Sequence, residues 1–505
     1  MSLSTVEPIH AVSVSHLLEA EANELVDDVE EIWDSPQSAA SGDELSCISI
    51  DSPTFTATTS DLDLARSSTP WSLSLPWVPG GSLEENDLFY HYISALAPVM
   101  TPIDDEHNPW NSTYPRLAIQ WQTSPAACSL LHAILAQSAF QRANLSQASS
   151  SKYLRVGTRN YVLALRHLRH SLDSPTEDFS TNLAAMLTVT IAGHCFEGQS
   201  AGLTHHVEGA IQYVKQHLAR RPWTVSHDAW VITQSFVLHG LISRTTKVDR
   251  SDAVASRASN RKKYNFQDTL DEVIADVMAN PTFAYTVGST PHFMKALYQA
   301  RQLESELSGS QGPPQGRLSI AQLVQVSNIL ADLNAPMEPD IELYLSRQQE
   351  RWIQQPSCEP TCTLEERWRY IIAKNLCLFK SGIEIYLFRV VLQYPPSAVA
   401  PQVLSTLQTA AELLEPLDRA ASVSIWPIFI AAVEAYEPVA QDLADAALQV
   451  CSSLGAVNRK TAHDIVKTVW ARREGIAAER DCHVGDVQLD WRDVLADLNI
   501  DILLL

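Results

Sequence analysis

The residues with the most legible chemistry lie at 194–206, "HCFEGQSAGLTHH". Gly198-Gln199-Ser200-Ala201-Gly202 is a literal G-x-S-x-G, the spacing of a nucleophile elbow, and it nominates Ser200 for acyl transfer. That chemistry needs a strand, a sharp turn and a helix inside an α/β alternation. The stretch upstream is ambiguous. Leu187, Val189 and Ile191 alternate with Thr188 and Thr190 as in a strand, while Leu183, Leu187, Ile191 and Cys195 recur every four residues as in a helix. The wider chain offers no series of Val/Ile-rich strands and no Gly-rich oxyanion loop. The order serine, acid, histidine would need an arbitrarily chosen acid, because His483 precedes Asp490. The expected reading is two helices joined by a turn, with Gly198 ending the first and Ser200 doing no chemistry.

Metal chemistry has little support at this level. His205 and His206 are adjacent, so a helix points them about 100° apart and they cannot share an ion as an i, i+4 pair would. Cys358-Glu359-Pro360-Thr361-Cys362 lies in a Pro-rich loop, and no further ligands stand near it in sequence. The chain has 8 cysteines (Cys47, Cys128, Cys195, Cys358, Cys362, Cys377, Cys451 and Cys482) and no C-x-x-C pair, which suits reduced thiols in an intracellular protein. H-E-x-x-H, P-loop and Rossmann patterns are absent. No catalytic residue, metal or cofactor is expected, and no residue identifies a small-molecule effector.

The elements that would position any site read as helices. "ENDLFYHYISALAPVM" puts Leu88, Tyr92, Ala95 and Leu96 on one stripe. In "SPAACSLLHAILAQSAFQRANL" apolar groups recur at helical steps through Leu130, Leu131, Ile134 and Leu135, with Ser124 as N-cap and Pro125 at the first helical position. "KYLRVGTRNYVLALRHLRHSL" places Tyr161, Leu165, Leu168 and Leu172 on one face and arginines on the other. Helical patterns continue to the end, with "GSQGPPQG" and "YPPSAVAP" as turn punctuation. "WARRE" at 470–474 reads as a helix surface. An all-α fold is expected over 84–505, interrupted by a polar, locally basic linker at about 245–266.

Residues 1–83 differ. They are rich in Ser, Thr, Asp and Glu, and Arg66 is the only Lys or Arg among the first 80. Such a segment buries too little apolar area to offset chain entropy, so a disordered acidic tail is expected. Its acidic-hydrophobic alternation also fits an activation segment, with Leu25, Val26 and Trp33 as contact residues. The formal net charge of −23 repels phosphates, so non-specific binding of nucleic acid by the whole surface is not expected. The one basic cluster, Arg261-Lys262-Lys263, reads as a solvated loop or a nuclear-import signal. The N-terminus lacks the basic and apolar regions of a signal peptide. "IWPIFIAAVEAY" is shorter than the roughly 18 residues of a membrane helix and carries Glu434, so no membrane span is expected.

These segments, in this order, resemble the fungal-specific transcription factor domain, the helical regulatory region of fungal zinc-cluster regulators. "YHYISALAPVMTPIDDEHNPW" is similar to its opening, with Asn108-Pro109-Trp110 as the Asn-Pro-aromatic motif. His206, Gly209 and Ala210 fall on its H-x-x-G-A pattern. Trp426 and Pro427 match its Trp-Pro-apolar helix, although Ala432 stands where a glycine is common. Trp470 and Trp491 match its closing pattern of a Trp-bearing helix followed by Asp-Trp and an apolar end. The resemblance spans roughly 84–505 and implies a nuclear regulator of transcription, working with transcription-associated proteins such as a DNA-bound zinc-cluster factor or another copy of itself. The family usually carries a six-cysteine zinc cluster with two C-x2-C pairs. The first 80 residues here contain Cys47 alone. Two readings stay open: action through partners without a DNA-reading module, or a zinc cluster encoded ahead of Met1. A third, DNA binding by the basic linker, and a fourth, a hydrolase using Ser200, complete the alternatives.

Overall fold

The computed structural model describes residues 78–101, 108–146, 148–174, 178–198, 202–247, 272–277, 288–309, 318–342, 345, 362–414 and 424–504. Among them the regular structure is helical, with no strand. The expected tail, apart from 78–83, lies outside the described residues, as does the expected linker beyond Lys247.

The N-terminal half is built around α3 (Pro125–Leu145). Before it come α1 (Leu83–His91) and α2 (Thr113–Ala118). Ser82 and Glu85 form a capping box on α1, each side chain accepting from the other's backbone N–H. Ser124 caps α3 as expected, its hydroxyl accepting from Ala127 N at 3.2 Å, and Pro125 occupies the first turn. The apolar residues read as one stripe on α3 are buried, together with most of the helix. A short turn leads into α4 (Ser150–Leu172), which lies along α3. Gly157 permits the close approach: a Cβ there would stand 2.5 Å from the Phe140 ring. Tyr161, Leu165 and Leu168 face inward and Arg155, Arg159 and Arg166 face out, as the periodicity requires.

Next is α5 (Phe179–Ile191), capped by Asp178 and extended to Glu197 by a wide π-helical turn. The strand-like alternation is therefore helical. Thr188 and Thr190 donate their hydroxyls to the carbonyls of Ala184 and Met186 at 2.7 and 2.8 Å, which hides their polarity inside the core. The expectation that no apolar run reaches membrane length is corrected by this helix. The helix Phe179–Glu197 is long and apolar enough to span a bilayer by length and composition, yet all of its apolar window is buried within this fold. Every residue of α5 is buried, and it packs against α3, α6 (Leu203–Gln216) and α7 (His227–Thr245).

The C-terminal half surrounds a second buried helix. It contains α8 (Pro291–Gly309), α9 (Ile320–Leu333), α10 (Cys362–Tyr386), α11 (Ala400–Leu414), α12 (Ile425–Glu434), α13 (Pro438–Ser452), α14 (Val457–Arg480) and α15 (Trp491–Asp497). Every residue of α12 is buried, and α10, α11, α13 and α14 pack around it. Another π-helical turn, Leu387–Val391, ends α10. One continuous hydrophobic core runs through both halves. Its seam is polar as well: Gln141 and Asn144 of α3 donate to the carbonyls of Leu454 and Gly455, both at 2.9 Å.

Candidate functional site

Ser200, with Gln199 and Ala201, lies outside the described residues. Its flanks are described. Gly198 ends the helix with φ 89°, the left-handed cap expected of it, and its N–H donates to Gly193 O at 2.9 Å. A helix and not a strand leads into the motif, so the context of a nucleophile elbow is missing. Just beyond, His205 is exposed and His206 is buried, as adjacency on a helix dictates. The His206 Nε2 lies 3.5 Å from the Tyr161 hydroxyl, and its ring meets His194 edge-on with centroids 5.6 Å apart. Gly209 and Ala210 are buried on the same inner side of α6. The H-x-x-G-A residues thus seat α6 against α4 and α5.

Asn108 and Pro109 build a turn. The Asn108 amide donates to Ala97 O at 3.0 Å, and its Oδ1 accepts from Trp110 N at 3.0 Å. The Pro109 carbonyl accepts from Tyr114 N at 3.0 Å, and Trp110 stacks on Tyr114. This fixes the entry to α2.

The tryptophans converge on α12. Trp426 Nε1 donates to the Thr245 hydroxyl at 2.9 Å, joining α12 to the end of α7. Pro427 lies against α10 where a Cβ on Gly382 would be 3.0 Å away. Trp470 Nε1 donates to Ala432 O at 2.8 Å. Trp491 meets Phe429 edge-on at 5.1 Å. Arg261, Lys262, Lys263 and Cys358 lie outside the described residues.

Around these rings stand two buried ionic clusters that the sequence did not announce. In the first, Glu304 of α8 accepts from Arg301, from Arg492 of α15 and from the Tyr386 hydroxyl, the last at 2.6 Å. Arg492 also holds Asp490, with Nη2 to Oδ2 at 2.6 Å, and donates to Lys247 O at 3.2 Å. Burial pushes the Tyr386 phenol above its ordinary range, so it stays protonated and donates. Burial works against the Arg492 charge, but the carboxylates of Asp490 and Glu304 outweigh it and hold its pKa above the usual value.

The second cluster is centred on Glu434, the last residue of α12. Its Oε2 accepts from Arg389 Nε at 2.8 Å and from Arg473 Nη2 at 2.9 Å. Arg473 also donates to Val433 O at 2.9 Å, and Arg389 to Leu489 O at 3.4 Å and to the Tyr394 carbonyl. The π-helical turn at Leu387–Val391 contains Arg389 and Tyr386 begins it as N-cap, so one local widening supplies a member to each cluster. Burial lowers the Arg473 pKa, partly offset by Glu434. The reading of "WARRE" as a helix surface is corrected here. Arg473 is 1% exposed, because its position on α14 faces the carboxylate of Glu434. Arg472 beside it points outward to Asp497.

The signal for the second cluster was a charge inside an apolar helix: Arg389 in "IYLFRVVL" and Glu434 in "IFIAAVEAY". Together the two clusters lock the last segment into the centre. Ile502, Leu503 and Leu504 are buried, Asn458 donates to Leu503 O at 2.7 Å, and Thr246 to Ile502 O at 3.3 Å. The arrangement positions and clamps helices: its carboxylates are held by guanidiniums, and the Tyr386 phenol donates to Glu304.

The model of the fungal specific transcription factor domain matches residues 87–505. No curated protein and no solved structure matches the chain.

Proposed function

The chain belongs to the fungal specific transcription factor domain family, and on that premise we propose that it regulates transcription in the nucleus through protein partners held by its helical body. The observation that carries the reading is the extent of the match, which takes in nearly all of the helical body. The clamped arrangement of α12, α14 and α15 supports it, since a rigid body presents fixed helix faces to a partner. The partner chemistry that fits is a DNA-bound protein, either a zinc-cluster factor or another copy of this chain. The acidic segment 1–83 contacts the transcription machinery, through residues such as Leu25, Val26 and Trp33. Arg261, Lys262 and Lys263 serve nuclear import. No reaction is assigned to Ser200.

DNA binding provides the test. The purified full chain, offered duplex DNA at moderate salt, should bind no more tightly than other acidic proteins do. Tight binding with a steep salt dependence would shift the reading to direct contact through the basic linker. A full chain with residues 1–83 scrambled at constant composition tests the tail. Loss of activation at a responsive reporter supports a specific role, and unchanged activation removes it.

A further inference from the structure

We propose that Cys128, His132 and His167 form a binding site for a thiophilic divalent cation of the zinc class, set between α3 and α4. One ligand atom from each of the three lies within 4.8 Å of the others. Cys128 and His132 are one turn apart on α3 and share a face. His167 comes from α4, and its ring lies nearly parallel to that of His132, with centroids 5.7 Å apart. Bonds of about 2.0–2.3 Å to a tetrahedral ion put ligand atoms about 3.5–4 Å apart, so a small side-chain rotation closes the set. One thiolate and two imidazoles are a zinc-type donor set, and three protein ligands leave a fourth position for water.

The surroundings prepare one of the ligands. Asn160 donates its amide to Val156 O at 2.9 Å, which turns its Oδ1 toward His132 Nδ1, also at 2.9 Å. His132 Nδ1 therefore carries the proton and Nε2 keeps a free lone pair, the arrangement that supports a metal-bound histidine. Glu85, held by Ser82 N at 2.7 Å, adds negative potential at both Cys128 and His132, while Arg159 opposes it at His132. Burial favours the neutral imidazole at both histidines, the form that binds metal. The Cys128 thiol is pushed up by burial, so binding expels its proton into solvent as the sulfur–metal bond forms. The bound ion ties α3 to α4 and stabilises the folded chain by mass action.

Cobalt(II) titration of the purified full chain tests the site. The expected result is a thiolate-to-cobalt charge-transfer band that saturates at one equivalent, with the intense visible bands of a four-coordinate ion, all bleached by Zn²⁺. Cys128→Ser should abolish the charge-transfer band. Asn160→Ala should weaken binding by about 10–100-fold while leaving the band's shape. His167→Gln, at a half-buried position, keeps the test open if the cysteine variant does not fold; it should lose the four-coordinate visible bands. No saturable band in the unmutated chain would overturn the proposal, as would a band that persists unchanged in Cys128→Ser or a spectrum and affinity unaltered by His167→Gln.

Discussion

At the scale of the residue, Glu434 is the centre of one buried ionic cluster. It is the shared acceptor of two buried guanidiniums, so removing its charge leaves both without their counter-ion. Glu434→Gln should lower stability by about 3–5 kcal/mol, read as a lower denaturation midpoint. Replacing Arg389, Glu434 and Arg473 together with apolar residues of similar volume should restore most of that loss, since it removes the charges instead of stranding them. A triple variant no more stable than Glu434→Gln would contradict this. His239 gives a separate expectation. It is buried, and desolvation lowers its pKa to about 3. Above pH 6.5 the folded and unfolded forms are both neutral at this site. As pH falls below 6.5 only the unfolded state takes up the proton, so stability drops by about 1.4 kcal/mol per pH unit toward pH 3. His239→Gln should flatten that part of the acid-stability profile. Little of this was legible from the residues alone. Arg473 reads as surface because helical periodicity gives a face and not its partner. Its burial depends on Glu434, which arrives from another helix. The i, i+4 spacing of Cys128 and His132 was visible, but the third ligand comes from α4, and adjacency of α3 and α4 had to be known first.

At the scale of the element, most of what periodicity implied is present. Ser124, Pro125 and Gly198 do what their chemistry predicts, because caps depend on neighbours within a few residues. The misleading stretch was "LTVTI", where alternation matched a strand. The threonine hydroxyls bond back to their own helix, so their alternation marks no polar face, and the four-residue recurrence of Leu183, Leu187, Ile191 and Cys195 gave the true period. Gly198→Ala should cost roughly 1–2 kcal/mol for the left-handed backbone. The added Cβ also meets Val457 at 2.8 Å, so repacking adds to that loss. A melting temperature equal to that of the unmutated chain would argue against the tight junction between α5 and α14. The last segment is the other element with a sharp expectation. Ending the chain after Asp497 removes Ile502, Leu503 and Leu504 from the core, worth about 1.5–3 kcal/mol each. It also strands Asn458, whose amide donates to Leu503 O. Such a truncation should prevent stable folding, measured as loss of cooperative thermal unfolding.

At the scale of the whole molecule, the ordered set of loose motifs was more informative than any single one. Asn108, His206, Trp426, Trp470 and Trp491 are scattered along the sequence, yet each fixes a helix junction in one continuous core. The chain's partners were not readable, since surface complementarity leaves no periodic trace. The net charge of −23, more than half of it carried by the segment 1–83, disfavours a chain that grips phosphates along its whole surface. The most direct test fixes the full chain to a reporter promoter through a heterologous DNA-binding module. Transcription from the reporter should change well beyond the level set by the module alone, and Ser200→Ala should leave that change intact. A fusion present in the nucleus at normal abundance that leaves the reporter at the module-alone level would contradict the account.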